Sequence, residues 1–288
     1  MRVEEVWRRQ RQWSAVAIRV GQEINRWRSR NLGLILAGSA LGALAAQGEW
    51  FAQSVTVALG AASAGALALA AFVQSRVLTA EKARIRVETR SGSETLMGIV
   101  YQYLAGVAPF DDLDRDRQLG LKVTALEALV PDTAPLVVGE KPDERPLPQI
   151  DGVADYLAQR AQPQREWHLQ RSVQQRGLAA RWRAGELVAT AVAAVLAAVG
   201  GALHGPDLSA WVAVATTAGA AIAAHRAGQQ HDRLADSYAR TVLALDAVLR
   251  DFDPADAPTE ASLVVAVERI LAAQNDSWAS LFSTRPGS

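Results

Sequence analysis

The sequence contains no cysteine among its 288 residues. This absence excludes a disulfide framework, thiolate metal sites and cysteine nucleophiles. Net charge is also absent, because 30 lysines and arginines balance 30 aspartates and glutamates, so no overall field attracts nucleic acid. The first residues, MRVEEVWRRQRQW, lack the apolar core of a secretory signal, which predicts that the N-terminus stays in the cytoplasm.

Catalytic motifs are missing as well. No glycine-rich loop follows a predicted strand, and two acidic runs, at 111–116 and 251–256, are explained more simply by helix caps and solvated turns than by a divalent-ion site. The four histidines show no HExxH or other metal-ligand spacing: His168, His204, His225 and His231. We therefore expect a protein that is not an enzyme, with no metal and no cofactor.

Lysine and arginine are absent from two long stretches. Neither occurs in residues 31–75 or 184–225, where the only charged residues are Glu49, Glu186 and Asp207. A soluble helical hairpin of that length would have a solvated face with several basic residues. The absence therefore favours membrane-spanning helices over the alternative, an alanine-rich soluble bundle. The expected apolar spans are short, at about 32–46, 54–73, 187–203 and 208–224.

The spans form two pairs, and each pair belongs to one of two similar copies. RWRSRNLGLILAGSAL begins at Arg26 and RWRAGELVATAVAAVL begins at Arg181, so a basic segment with tryptophan precedes each pair. A proline-rich segment separates the copies, which predicts a first repeat at 1–130, a linker at 131–150 and a second repeat at 151–288. No long stretch alternates with period two. The predicted fold class is an all-α membrane protein with four transmembrane helices as two parallel-repeat hairpins and long cytoplasmic helices.

The distribution of basic residues also predicts the orientation. Basic segments flank the spans on one side, and the positive-inside rule places that side in the cytoplasm and both short turns outside. The expected location is the cytoplasmic (inner) membrane, multi-pass, with N- and C-termini cytoplasmic.

Small residues recur along the spans at the spacing of close helix packing. Such residues let helix backbones approach closely where no hydrophobic effect drives association. The positions that we expect to serve helix packing are Gly38, Gly42, Gly60, Ala193, Ala197 and Gly201.

Polar residues in and near the spans suggest an ion path. Glu49 and Asp207 are the acidic residues of the two outer turns, and in an oligomer they would concentrate cations at a pore mouth. Asn31 and Glu186 occupy equivalent positions at the inner ends. The candidate pore-lining hydroxyls are Ser39, Thr56, Ser63, Thr190, Thr216 and Thr217, which can equally bond within their own helices.

A resemblance to a known family rests on residues of the second copy. Its beginning carries the pattern Tyr156-Leu157, Arg160, Gln164, Trp167 and Arg171, and its tail carries Ser237-Tyr238, Thr241, Leu245, Glu268 and Trp278. This pattern resembles the SLATT group, two-transmembrane domains associated with SMODS and SLOG proteins, which overlaps a bacterial membrane family of unknown function. The resemblance implies a pore-forming effector and supplies no ligand residues. The first copy resembles the family loosely.

These observations lead to a functional hypothesis with two alternatives. The leading one is an oligomeric ion channel or pore in the cytoplasmic membrane that passes monovalent cations, potassium or sodium. A non-conducting membrane scaffold or effector anchor that binds partners through its cytoplasmic helices is the first alternative, and a soluble helical interaction protein is the second. The expected partners are the lipid bilayer, further copies of the chain in a homo-oligomer (dimer or tetramer) and a cytoplasmic regulator, with no nucleic acid.

Overall fold

The computed structural model describes residues 1–142, 144–202, 208–253 and 257–282. In these ranges the chain is helical and has no β-strand, which confirms the predicted all-α class. Two short π-helical segments, Val73–Val77 and Leu157–Ala161, continue the helices that precede them. The helices are α1 (Val3–Ala46), α2 (Gln53–Phe72), α3 (Ala80–Leu104), α4 (Arg115–Ala128), α5 (Ala134–Val137), α6 (Val153–Tyr156), α7 (Gln162–Ala202), α8 (Ser209–Gln229), α9 (His231–Arg250) and α10 (Ala257–Phe282).

The helices divide between two compact units. Unit 1 takes its residues from Met1–Gln22, Ala80–Gln174 and Arg233–Ser288, and unit 2 takes them from Glu23–Thr79 and Gln175–Asp232. Each unit therefore draws on both halves of the sequence. The predicted repeats describe similarity along the chain, and their bounds at 130 and 150 stay a prediction.

One core of unit 1 forms around α3. Leu96, Val100 and Tyr103 recur at the spacing of one helical face, and all three are buried. They pack in one cluster with Trp13 of α1 and Leu119 of α4. Burying a large apolar side chain contributes about 1.5–3 kcal/mol, so this face fixes the three helices together.

A second core of unit 1 forms around α10, which packs against α3. Val264, Val267 and Leu271 lie on one face of α10 and are buried. Tyr156 of α6 and Leu245 of α9 complete the cluster, and both are fully buried. This packing brings α6, at the start of the second sequence copy, into contact with α10 near the end of that copy.

The segment predicted as an extended linker, 131–150, contacts α1 within unit 1. The Trp7 Nε1 donates a hydrogen bond to the Arg145 carbonyl at 2.9 Å, and the Gln12 amide donates to the Glu140 carbonyl at 3.2 Å. Apart from the short α5, its described residues form no regular helix, as the proline content predicts. The segment therefore packs against α1, and its first part, 131–139, consists of turns and α5.

Unit 2 contains the apolar helical segments. Among the described residues, three helices are long and apolar enough to cross a membrane, namely Val3–Ala46, Gln53–Val77 and Val153–Ala202. Only a small share of each apolar window is buried. In the last of these the apolar part begins near Leu187. The fourth predicted span, α8, does not meet the same criterion of length and composition, because polar and charged residues such as His225 and Arg226 lie within its 21 residues.

Candidate functional site

The predicted pore-lining hydroxyls mostly bond within their own helices. Four of the six hydroxyls donate to the carbonyl four residues earlier: Ser39 to Ile35 (2.8 Å), Thr56 to Ala52 (3.5 Å), Thr190 to Glu186 (2.9 Å) and Thr216 to Val212 (2.9 Å). Thr217 is exposed. A hydrogen bond of this kind satisfies the hydroxyl donor inside its own helix, without a group from another helix. Four of these hydroxyl donors are thus satisfied inside single helices, and a path lined by these groups stays a prediction.

Ser63 behaves differently, because it joins two helices. Its Oγ donates to the carbonyl of Gly38 at 2.7 Å, so α2 approaches the backbone of α1. A Cβ at Gly38 would lie 2.8 Å from the Leu67 Cγ, and a Cβ at Gly42 would lie 3.0 Å from the Ser63 Oγ. These two glycines lie at the α1–α2 contact, as expected for a GxxxG pair.

The other small residues expected to serve packing are more open. A Cβ at Gly60 or Gly201 would meet nothing within 4 Å, and Ala197 is exposed. Ala193 is half-buried. The second half of α7 therefore presents small residues that no described part of this chain covers.

The predicted acidic and inner-end residues occupy distinct surroundings. Glu49 is exposed in a short 3₁₀ turn, Gly48–Trp50, and Asp207 lies outside the described residues. Asn31 is buried and donates from Nδ2 to the Gln74 Oε1 at 3.4 Å. Glu186, by contrast, forms an ion pair with Arg226 at 3.1 Å.

The most elaborate polar site of unit 1 is a buried ion pair between Arg160 and Glu268. The guanidinium donates from Nε to Oε1 at 2.9 Å and from Nη2 to Oε2 at 3.0 Å, and both side chains are 3% exposed. Tyr156 donates from its hydroxyl to the same Oε1 at 2.9 Å. The Arg160 guanidinium also lies over the ring of Tyr101, 4.8 Å from its centroid, and donates to the Met97 sulfur at 2.9 Å.

Local helical geometry sets these groups in place. Tyr156 and Arg160 are four residues apart on the continuous helical run of α6 and its π segment, so they lie on one face toward α10. Glu268 follows Val264 by four residues, so it lies on the apolar face of α10. Gly98 of α3 makes room for the carboxylate, because a Cβ there would lie 3.0 Å from the Glu268 Oε2.

The pair changes the electrostatics of its members. Burial alone would lower the pKa of Arg160, but the Glu268 carboxylate offsets this effect and holds that pKa above its ordinary value. Burial raises the pKa of Tyr156, and the neighbouring Glu268 charge raises it further. Both groups therefore keep their protons, and the site holds a fixed guanidinium and a phenol that donates.

Aromatic contacts in the same unit involve three further residues of the sequence pattern, Trp167, Tyr238 and Trp278. The Trp167 and Tyr238 rings meet edge to face at 5.4 Å, and His168 lies 4.8 Å from the Trp167 ring. Trp278 is buried, and the Arg90 guanidinium lies 4.2 Å above its ring.

A cavity of about 400 Å³ opens beside the buried ion pair. Its lining includes Glu94, Lys122 and Asp276, none of which forms a hydrogen bond or an ion pair with a described residue. Lys122 and Asp276 are exposed, and Glu94 is half-buried. Within the described ranges no three His, Asp or Glu side chains lie close enough to hold a metal ion. The cavity thus presents charges of both signs.

Reasoning from composition and spacing missed this site. The residues that form it entered only through the family pattern, whereas the structure shows that Tyr156, Arg160 and Glu268 are in contact. One signal in the sequence could have found the pair: Glu268 stands where the apolar period of α10 predicts a buried residue. A buried carboxylate requires a counter-ion.

Comparison with known protein families gives two matches. Residues 156–278 match the model of SMODS and SLOG-associating 2TM effector domain 1, and residues 11–118 match the model of a protein of unknown function, DUF4231. Each match covers less than half of the chain, and because the two models differ, tandem copies of one domain stay a prediction. No curated protein and no solved structure matches the chain. The two matches support the resemblance to the SLATT-like two-transmembrane family, and the similarity of residues 156–278 to an effector domain supports a membrane-associated effector role.

Proposed function

We propose that this protein is a membrane-anchored effector in which unit 2 holds the chain in the bilayer and unit 1 receives a signal or a partner. The observation that supports this most is a contrast in burial. The apolar segments of unit 2 leave runs of large side chains exposed, among them Leu187 (71%) and Val195 (61%). Unit 1 instead has three buried cores, and its exposed large apolar side chains, such as Leu129 and Leu243, are scattered along the chain. A continuous exposed apolar surface is stable in lipid and prone to aggregation in water.

The charges of the chain fit this division. All 30 lysines and arginines lie outside residues 31–75 and 184–225. Arg160 and Glu268, which form the buried ion pair of unit 1, also lie outside these stretches. The positive-inside rule then places the basic side, with both chain termini, in the cytoplasm and the protein in the inner membrane.

The cavity beside the ion pair is the surface of unit 1 that we assign to a cytoplasmic regulator. Lys122 and Asp276 lie at its lining and have no ionic partner among the described residues, so each can pair with an opposite charge on a bound segment. Rim charges of this kind set the orientation and the rate of association.

A second candidate, a homo-oligomeric cation pore, is favoured by one observation. Ala197 and Gly201 are exposed on α7 with no neighbour among the described residues, and small residues of this kind pack membrane helices of separate chains together. A path for ions would then lie between chains, with Glu49 at its outer mouth. The hydroxyl bonds within α1, α2, α7 and α8 speak against a path lined by those groups in one chain.

Reconstitution of the purified full chain into planar bilayers separates the two candidates. The anchor role predicts no current at any voltage or ion gradient, although the protein stays in the membrane pellet after carbonate extraction. The pore role predicts a cation current whose reversal potential moves when Glu49→Gln neutralises the outer turn. Release of the protein by carbonate would contradict both candidates.

A further inference from the structure

A cavity of about 540 Å³ lies within unit 2, at the basic end of its apolar helical segments. Three helices form it: α1 contributes residues 28–35, α2 and the π segment that follows contribute 67–78, and α8 contributes 221–228. Each of these stretches lies where an apolar run meets arginine, glutamine or histidine. The cavity is thus polar at one end and apolar along its walls.

Arg28 is the fixed cation of the polar end. Its Nη1 donates to the carbonyl of Gly228 at 3.1 Å, and it forms no ion pair with a carboxylate in the described part of the chain. The neighbouring Arg226 differs, because Glu186 and Asp232 both neutralise it, at 3.1 and 3.6 Å. Among the described residues that line the cavity none is acidic, so the Arg28 charge lacks a protein counter-ion.

Asn31 supplies the second polar group, and one of its atoms lacks a partner. The residue is 8% exposed and donates from Nδ2 to the Gln74 Oε1, but its Oδ1 is buried without a hydrogen-bond donor. A buried acceptor without a donor costs about 1–3 kcal/mol. The Oδ1 therefore calls for a donor from a molecule in the cavity.

His225 completes the polar end from α8. Its ring packs on Trp182 with the centroids 4.6 Å apart, which holds the imidazole at the cavity. The walls below are apolar, with Ile35, Leu67 and Ala70 among the lining residues. The chemistry that fits is an anion next to Arg28 and His225, a hydroxyl donor next to Asn31, and an apolar body along the walls.

We propose that this cavity binds one anionic phospholipid whose headgroup carries a hydroxyl, as phosphatidylglycerol does. The phosphate contacts Arg28 and His225, the headgroup hydroxyl donates to the Asn31 Oδ1, and the glycerol backbone with the start of an acyl chain lies along the apolar walls. Basic pockets between membrane helices bind acidic headgroups in this way. The assignment rests on the membrane placement of unit 2 and is independent of conduction.

The test is native mass spectrometry of the full chain, purified in a neutral detergent and titrated with phosphatidylglycerol, phosphatidylcholine or inorganic phosphate. The expected result is one retained phosphatidylglycerol per chain and weaker retention of phosphatidylcholine. Arg28→Gln should weaken phosphatidylglycerol binding by about tenfold or more, because it removes a charge-assisted contact. The matched control is Arg30→Gln, which alters an exposed arginine of the same helix that lies over Trp27 and outside the cavity, and it should bind as the unaltered chain does.

A second variant keeps the result interpretable if Arg28→Gln fails to fold. Ala71→Phe fills the cavity from an exposed position of α2, and it should also abolish retention of the lipid. Equal retention of phosphatidylcholine and phosphatidylglycerol would overturn the proposal, and so would binding of inorganic phosphate alone. A chain that resists carbonate extraction but retains no lipid refutes this site only, whereas a chain released by carbonate refutes the membrane placement itself.

Discussion

The buried Arg160–Glu268 pair gives the most quantitative prediction for unit 1. Replacing Glu268 with leucine removes the only ion-pair partner that the described residues provide for the Arg160 guanidinium. The charge then stays in a site where the side chain is 3% exposed. Tyr156 loses its acceptor in the same substitution.

The magnitude follows from burial. Removing one partner of a buried ion pair costs about 3–5 kcal/mol, a large share of the 5–15 kcal/mol that stabilises an ordinary domain. Replacing both members by apolar residues of similar volume avoids the unpaired charge. The double variant Arg160→Met, Glu268→Leu should therefore lose less stability than Glu268→Leu alone, although it carries one more substitution.

The assay is urea unfolding of the detergent-solubilised full chain, followed by tryptophan fluorescence. The partly exposed pair between Arg165 and Asp246 gives the matched control, since its side chains are 35% and 29% exposed. Arg165→Met should cost less than about 1 kcal/mol, as exposed ion pairs do. The reasoning fails if the double variant loses as much stability as Glu268→Leu alone, or more.

Three further substitutions test the packing and the titration of the chain. Burial lowers the pKa of His168, so the unfolded chain binds a proton at a higher pH than the folded chain does, and stability should fall as the pH drops below about 6.5. His168→Asn should reduce the fall in melting temperature between about pH 7.5 and 5.5, and an unchanged pH dependence would contradict this prediction. Gly92→Ala places a Cβ 2.6 Å from the Trp13 ring and should cost about 1–3 kcal/mol in urea unfolding, so a neutral result means that the ring is not fixed there. Gly38→Val should weaken the α1–α2 contact and lower the thermal stability in detergent. Gly33→Val should leave the thermal stability unchanged, because a Cβ at Gly33 would meet nothing within 4 Å, and equal effects of the two substitutions would contradict the described contact.

The helical class and the apolar segments follow from local features of the sequence. The absence of lysine and arginine over 31–75 and 184–225 identifies the stretches that the structure places in unit 2. The glycines at 38 and 42 predict the close approach of α1 and α2, because small residues four apart lie on one face of a helix and let a second helix backbone come near.

Long-range pairing could not be predicted in the same way. Arg160 and Glu268 are 108 residues apart, and no local period shows that the two positions meet. The grouping of the first part of α1, up to Gln22, with α3, α9 and α10 in unit 1 depends on such contacts. For this reason the order of the repeats along the chain did not reveal the units. From the sequence, the hydroxyl of Thr190 could line an ion path or donate a hydrogen bond within its own helix. The structure shows that it donates to the Glu186 carbonyl.

The membrane placement of unit 2 is tested most directly by cysteine accessibility, because the natural chain contains no cysteine. Val195→Cys lies on the exposed apolar part of α7, and Lys122→Cys lies at an exposed position of unit 1. In open membrane fragments, where both aqueous sides are accessible, a charged maleimide should modify Lys122→Cys rapidly and leave Val195→Cys unmodified, because lipid excludes the reagent. Equal rates at the two positions would contradict the account.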